Sequence, residues 1–538
     1  MEKTPSSSTS RTKAKAKDSQ MCFSGFDGMN EDLIFNVLSR LPAQSFASAA
    51  CVSKSWNRTC NRVLCRPKLA SALSLKPSLP DALKEVFGKI LSEPIRPHFA
   101  IANVGNGFEP LMTLRLIRKK LGCCVPIIVS VANGIFGRDA LTNELKEVNW
   151  NDLLNEMNDE VPINEGIVMT IGFLPGLKVD AIPLFRQPTL SMKSAIDKFV
   201  TDVKEYSTSV SRCSFPLGIL LFGEGSTDMK PVMEKLDHAM PKDTFIVGDE
   251  RGRVAYRSGN DSGNGYARTG YLAEAVALVF AQDRDRSPGT SSYLFATGEI
   301  KFHVALSNGV LPMGDKYKTA SVRTSSEGTT WLTARREGQQ EILDGQRIID
   351  DVSNELANLI QFPDLYIGVF KRRKLSVGSE KPRPRTSITF HGIESGDEQY
   401  LYVDGVGLKT GDVFQLYHSD RNAALASCTR VSDELKKIEL EASFKNLNGG
   451  ASNATCVFGG LIFACGGRGE SFFGRPNVDS SPLLDNFPGV PFSGVFCGGE
   501  LARASFPVNG QCEGESSVSS CVHVFSCVYL LMSYTPSQ

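Results

Sequence analysis

Between Asn30 and Leu64 the apolar positions recur at helical spacing in three short runs. Leu33, Ile34, Val37, Leu38 and Leu41 form one stripe of a first helix. Asn30 can cap its orphan amides, and Glu31 and Asp32 fall in the first turn, where those amides favour negative charge. Pro42 cannot donate the hydrogen bond a helix needs and stops it. Phe46, Ala49 and Ala50 mark a second helix, and Ser53 caps a third in which Trp56, Cys60, Val63 and Leu64 share a face. Helices this short cannot bury both faces on each other. The pattern predicts leftover apolar surface that needs a partner protein.

After Leu64 the spacing reads as a linker, then one helix that Pro80 opens and Pro94 ends, with Leu83, Val86, Phe87, Ile90 and Leu91 as its stripe. The leucines here form one cluster without a period of about 20 to 29 residues, which argues against a leucine-rich repeat. From about His98, short apolar runs alternate with helix signals and glycines punctuate the junctions, the pattern of an α/β domain. Strands are expected at Phe99–Val104, Ile127–Val131, Ile167–Phe173, Leu217–Phe222 and Phe245–Val247, and helices at Leu111–Leu121 and Met192–Tyr206. One or two strands follow in the run from Tyr293 to Pro312, and then a helix from Ile342 with Ile348, Val352, Leu356 and Leu359 on one side. Val518 to Tyr534 is apolar but broken by Ser519, Ser520, His523 and Ser526, so it reads as a buried terminal strand or helix, not a membrane span.

These signals divide the chain into a disordered tail (1–22), a helical module (23–66), a linker and helix (67–97), two α/β parts (98–283 and 284–510) and a terminal segment (511–538). The 538 residues are 41% hydrophobic and 22% charged, which fits two or three soluble domains. Lys plus Arg number 59, as do Asp plus Glu, so no global positive field draws nucleic acid or a membrane. Met1–Gln20 is rich in Ser and Lys without an apolar secretion core, which points to a cytoplasmic or nuclear protein; an organelle transit peptide is the rival reading. The runs Lys371–Lys374 and Lys381–Arg385 suit a nuclear import signal or an exposed loop.

The 14 cysteines include no Cys-x-x-Cys pair, so neither a disulfide framework nor zinc is expected, and Cys123–Cys124 beside the apolar run Val125–Val129 read as small buried thiols. The segment from Phe222 to Lys230 lacks the Gly-Lys-Ser/Thr ending of a phosphate loop, and no Gly-x-Ser-x-Gly or His-Glu-x-x-His occurs. His303, His391 and His418 can each ligate a metal or haem or serve as satisfied core residues. No catalytic residue, metal or cofactor is expected, and the chain reads as a non-enzyme.

Leu38-Ser39-Arg40-Leu41-Pro42 followed by Val52-Ser53-Lys54-Ser55-Trp56 resembles the F-box motif. That resemblance implies the substrate-receptor subunit of a Skp-cullin-F-box (SCF) ubiquitin ligase, docking a Skp-type adaptor through Leu33, Ile34, Leu38, Leu41, Pro42, Val52 and Trp56. The usual opening Leu-Pro is here Met29-Asn30, and an Asp expected in the second helix is Ser45, departures that bear on adaptor affinity. An ordinary three-helix subdomain is the alternative.

Two later stretches, from Gly411 to Cys428 and from Gly459 to Ala502, resemble FIST (F-box and intracellular signal transduction) domains, most closely at Cys465-Gly466-Gly467-Arg468-Gly469 and Gly498-Gly499-Glu500. The resemblance implies a small-ligand sensor, with amino acids or haem as the family's ligand classes. Physically, Cys465, Gly467, Arg468, Gly469 and Glu500 offer free amides, a guanidinium fork for a carboxylate or phosphate, and a carboxylate for an amine. The other reading makes the glycines tight turns and pairs Arg468 with an internal acid. The expected fold is α+β to α/β: a small all-helical F-box module, then a large mixed FIST-type region. The expected function is SCF substrate recognition with adaptor, cullin, a protein substrate and a small ligand as partners. The alternative is a ligand-sensing signalling protein outside any ligase.

Overall fold

The computed structural model describes residues 30–150, 164–186, 191–225, 227–259, 273–284, 298–325, 329–356, 363–375, 383–448, 455–507 and 517–536. Three helices come first: α1 (Glu31–Leu38), α2 (Ala43–Ala50) and α3 (Lys54–Val63). The two caps form as the side-chain chemistry dictates. Asn30 Oδ1 accepts the Asp32 N–H at 3.1 Å, and Ser53 Oγ accepts that of Trp56 at 3.1 Å. The helices close on a small core of Leu38, Phe46, Ala49 and Cys60.

The expected linker is instead a strand. β1 (Lys68–Ser74) pairs antiparallel with β6 (Ile167–Phe173) and is covered on both faces, Ala72 by α4 (Leu79–Ile90) and Leu69 and Leu73 by a neighbouring sheet. Its Ala, Leu, Ser and Lys carry little intrinsic strand preference, so tertiary burial decides its conformation. β1 belongs to a five-stranded sheet of order β1-β6-β2-β3-β10, completed by β2 (Phe99–Val104), β3 (Ile127–Val131) and β10 (Val254–Arg257). α4 and α5 (Pro110–Leu121) cover its outer face.

The inner face packs on a six-stranded sheet of order β12-β23-β19-β20-β4-β5. Its strands are β4 (Gly134–Arg138), β5 (Leu145–Asn149), β12 (Glu299–Asn308), β19 (Cys456–Cys465), β20 (Phe492–Cys497) and β23 (Ser526–Thr535). The terminal apolar run is therefore two strands, β22 (Ser517–His523) and β23, and β23 lies buried inside the sheet. Because β4 pairs with β20, the expected boundary near 283 separates no structural layers.

A third, twelve-stranded sheet consists of two leaves joined at one parallel position, Ser387 to Ser519. One leaf holds β7 (Leu177–Phe185), β8 (Gly218–Glu224), β9 (Phe245–Gly252), β11 (Ala273–Gln282), β21 (Glu500–Pro507) and β22, covered by α6 (Met192–Val210) and α7 (Lys230–Ala239). The other holds β13 (Val310–Thr324), β14 (Thr330–Arg336), β15 (Leu365–Leu375), β16 (Arg383–Gly396), β17 (Leu401–Val403) and β18 (Val413–Ser419). Each of these six pairs with two others, so the leaf closes into an antiparallel barrel whose core takes Ile348, Val352 and Leu356 from α8 (Gly345–Leu356). Closure leaves no unpaired edge. The two basic runs lie on its β15–β16 hairpin, in register at Arg373 and Arg385, and not in a loop; Lys381 falls outside the described residues.

The sheets of the body therefore begin at Lys68, inside the segment expected as a linker. A chain beginning at Arg66 should unfold cooperatively, whereas one beginning at Pro94 loses β1 and α4 and uncovers Ile101, Val104 and Ile171. Deleting even one buried Leu costs about 2–5 kcal/mol against a total of about 5–15 kcal/mol. Size-exclusion chromatography and thermal melts should find the shorter chain aggregated. A well-behaved Pro94 chain would refute this boundary.

Candidate functional site

The helical module carries an apolar surface. Leu33, Val37 and Val52 are 54%, 49% and 64% exposed, beside exposed Pro42 and partly buried Ile34, Leu41 and Trp56. Leu38 lies elsewhere: it is wholly buried, so it holds the helices together and cannot touch a partner. Val37 joins the surface although it was absent from the expected contact set; its place on the α1 stripe was the available signal. Arg62 fixes α3 to α1 through Glu31 at 3.2 Å and the Phe35 ring at 5.7 Å.

The glycine turn lies where β19 and β20 end side by side. Gly466 N–H donates to the Cys497 carbonyl at 2.8 Å and Arg468 N–H to that of Cys465 at 3.0 Å. Gly469, at φ +130°, starts α10 (Glu470–Phe473) in a conformation that side chains resist. Gly467 is needed for another reason: a Cβ there would come within 2.7 Å of the Phe525 ring.

Arg468 does not reach outward. It is fully buried, and its fork grips Asp479, Nε to Oδ2 at 2.9 Å and Nη2 to Oδ1 at 2.6 Å. Nη1 donates to the Phe525 carbonyl at 2.9 Å, and Nη2 also meets Ser307 Oγ at 3.2 Å and Cys428 Sγ at 3.4 Å. The Phe473 ring covers the guanidinium at 5.1 Å, and Asn149 ties the turn's carbonyls at Gly466 and Arg468. The fork is spent on an internal acid, so the expectation that Arg468 binds a ligand anion is corrected. Asp479, the decisive partner, follows eleven residues later in the same quoted stretch; an isolated acid gives no pairing signal in one sequence.

Glu500 opens β21, also fully buried. Its Oε2 accepts from Ser526 Oγ at 2.7 Å and Ser526 N–H at 3.2 Å, while Oε1 has no hydrogen-bond partner among the described residues. Burial pushes its pKa up to about 8; Ser526, the Cys465 thiol and the Arg468 charge offset only part of that. In strand register Glu500 sits between Asp249 on β9 and His523 on β22. Burial also raises Asp249, to about 7, and lowers His523 to about 4 and His391 to about 3. Cys465, partly buried, adjoins an aromatic cluster of Tyr366, Phe390, Tyr417, Phe472 and Phe525. Phe525 itself sits at φ +47°, a left-handed conformation that costs about 1–3 kcal/mol for a bulky residue and often marks a functional site.

Glu500 is thus a buried carboxyl near the Cys465 thiol and its aromatic cluster, with Oε1 enclosed and unpartnered among the described residues. No cluster of three His, Cys, Asp or Glu with metal-binding geometry exists among the described residues. His303 Nε2 is 2.8 Å from Ser533 Oγ, and His418 Nδ1 is 3.0 Å from the Ser419 carbonyl; both have structural partners.

Two outcomes test this geometry. Glu500 is protonated in both states below about pH 4; between about 4 and 8 only the unfolded chain gives up its proton, so stability falls with rising pH across that window. Asp249 acts in the same direction up to about 7. Glu500→Gln should therefore shrink the drop in Tm between pH 5 and pH 8 (~3 pH units); an unchanged drop would refute the assigned protonation. Arg468→Met should lower unfolding free energy by about 3–5 kcal/mol in urea titrations, because it leaves the buried Asp479 without its partner charge. A near-neutral effect would contradict the structural role.

Residues 26–68 match the F-box domain family model. The chain is 43% identical over 514 residues to the F-box/LRR-repeat protein At5g63520 of Arabidopsis thaliana, covering 94% of this chain and 93% of that one. Two uncharacterized Mycobacterium tuberculosis proteins, MT0656 and Rv0628c, each share 44% identity over 53 residues, 10% of this chain and 13% of theirs. The described sheets here are mostly antiparallel and include the closed barrel, so they contain no horseshoe of stacked leucine-rich repeats. No described helix is long and apolar enough to cross a membrane. With an F-box at its N-terminus and this identity along nearly its whole length, the chain belongs to the same F-box protein family as the Arabidopsis protein.

Proposed function

We propose that the chain is the substrate-recognition subunit of an SCF-type ubiquitin ligase. The observation that carries this is the apolar surface of Leu33, Val37 and Val52, set on an F-box and left uncovered by the body. A Skp-type adaptor covers that surface and brings a cullin, and the body holds a protein substrate near the ubiquitin-charged enzyme. The chain contributes no bond chemistry of its own and works in the cytoplasm or nucleus. One backbone bond, Ala43 N–H to the Leu91 carbonyl at 2.9 Å, links F-box and body and helps to fix the direction in which a bound substrate points.

In this reading the body is a FIST-type region, and the niche at Cys465 and Glu500 is where a small ligand adjusts substrate choice. The buried Glu500 Oε1, without a hydrogen-bond partner among the described residues, and the aromatic cluster beside Cys465 support it. Gly467 and Gly469 shape the niche, and Arg468 keeps it in place. Should no ligase assemble, the same niche supports a ligand-sensing protein whose F-box binds a partner outside any ligase.

Affinity capture of the tagged chain should recover adaptor and cullin. Leu33→Asp and Val52→Asp change exposed side chains, so circular dichroism should stay native while adaptor binding weakens by roughly tenfold or more, as for central interface residues. Undiminished binding by the folded double variant would sink this assignment. Capture without any cullin would favour the sensor reading.

A further inference from the structure

Cys123 and Cys124 were expected to be buried. Both are exposed, with their sulfurs 3.7 Å apart in the turn between α5 and β3. The reason is local: Gly122, at φ +90°, ends α5 by turning the chain outward, and burial resumes only at Val125. Cys123 also lines an open hollow of about 330 Å³ with Arg115, Arg118, Lys119 and Gly122. That size falls at the lower end for small-molecule sites.

The three cations follow i, i+3, i+4 spacing, so they share one exposed face of α5. Among the described residues none of them has an ion-pair partner. Basic residues in a last helical turn complement the helix dipole, which explains Arg118 and Lys119 in part. It does not explain why Arg115, a turn earlier, faces the same hollow, or why a thiol pair closes its end.

We propose that this hollow is a docking site for an anionic small-molecule disulfide, of which glutathione disulfide is the type, and that Cys123 and Cys124 are the thiols it oxidises. The cations draw the carboxylates of the disulfide and leave its sulfurs beside Cys123. Cys123 gives its proton to solvent and its thiolate attacks one sulfur. The glutathione S–S bond breaks, a Cys123–glutathione bond forms, and the second glutathione leaves as a thiolate that takes up a proton. Cys124 then attacks the Cys123 sulfur, forming the Cys123–Cys124 bond and expelling the first glutathione. Two protein thiols are oxidised and one disulfide is reduced to two thiols, so electrons and protons balance.

The order of attack follows from where each thiol sits. Cys123 lines the hollow with the cations and meets the disulfide first, and Cys124, its sulfur 3.7 Å away and its pKa raised by the contact with Cys123, resolves. Adjacent residues lie about 3.8 Å apart at Cα, below the usual disulfide span of about 4.4–6.8 Å, so the product is strained and easily reduced. The modification is therefore reversible. Its readout within the fold is the Cys123 carbonyl, which receives Arg257 Nε from the end of β10 at 3.5 Å.

The test uses the full chain, reduced, with glutathione disulfide and with the neutral 2-hydroxyethyl disulfide, followed by intact mass and peptide mapping. Wild type should lose two hydrogens at Cys123–Cys124, and Cys124→Ser should instead retain one glutathionyl group on Cys123. Gln at Arg115, Arg118 and Lys119 together should slow reaction with glutathione disulfide by roughly threefold to tenfold at low salt, an effect that salt erases, and leave the neutral reagent's rate unchanged. The exposed Cys51 and Cys213 are internal controls. Equal labelling of those controls, or equal slowing of both reagents by the charge variant, would overturn the proposal.

Discussion

The buried ion pair of Arg468 and Asp479 is the constraint on which the centre of the body depends. One guanidinium joins the glycine turn, the start of β23, the end of β12 and the helix that follows the barrel, α9 (Arg421–Asn448). Burying both charges is costly, and it succeeds here because the geometry is bidentate and the remaining donors of Arg468 also find acceptors. The same bond network holds Phe525 in its strained backbone conformation and presses its ring on Gly467. Residues far apart in sequence thus become mutually dependent.

Around that pair the sheets interleave. β4 and β5 come from early in the chain and complete a sheet with β19, β20 and β23, and β9 receives β21. The parallel pairs β8–β9 and β19–β20 end near each other, where Gly498 and Gly499 approach Arg251 and Glu250 closely enough that a Cβ would clash. Glu500 is fixed immediately after these glycines. Its environment is a product of the whole body, and its raised pKa follows from being placed where water cannot reach.

Local signals were legible. The caps at Asn30 and Ser53 and the strands Ile127–Val131 and Ile167–Phe173 stand where period and capping chemistry put them. What pattern could not reach was set by distant partners. Lys68–Ser74 is a strand because two layers enclose it, and the barrel closes through β13–β18 and β15–β18 pairings that no local window contains. In the site, Gly467 and Gly469 are required by close approach and backbone angle, as glycines can be. The direction of Arg468 depended on Asp479, and the exposure of Cys123–Cys124 on the left-handed Gly122. Both are decided by three-dimensional context.

The position of β23 bears on how the chain is made. Residues 526–535 are translated after every other described strand, yet they lie between β12 and β19 and pair with both. Until they emerge, those two strands present facing apolar edges with unpaired backbone groups, held in register by nothing else between them. The growing chain therefore carries a central sheet that is still open, and its closure is a long-range, slow event of the kind chaperones guard. Removing this strand would forfeit the sheet, so a segment made after the rest of the described body is its keystone.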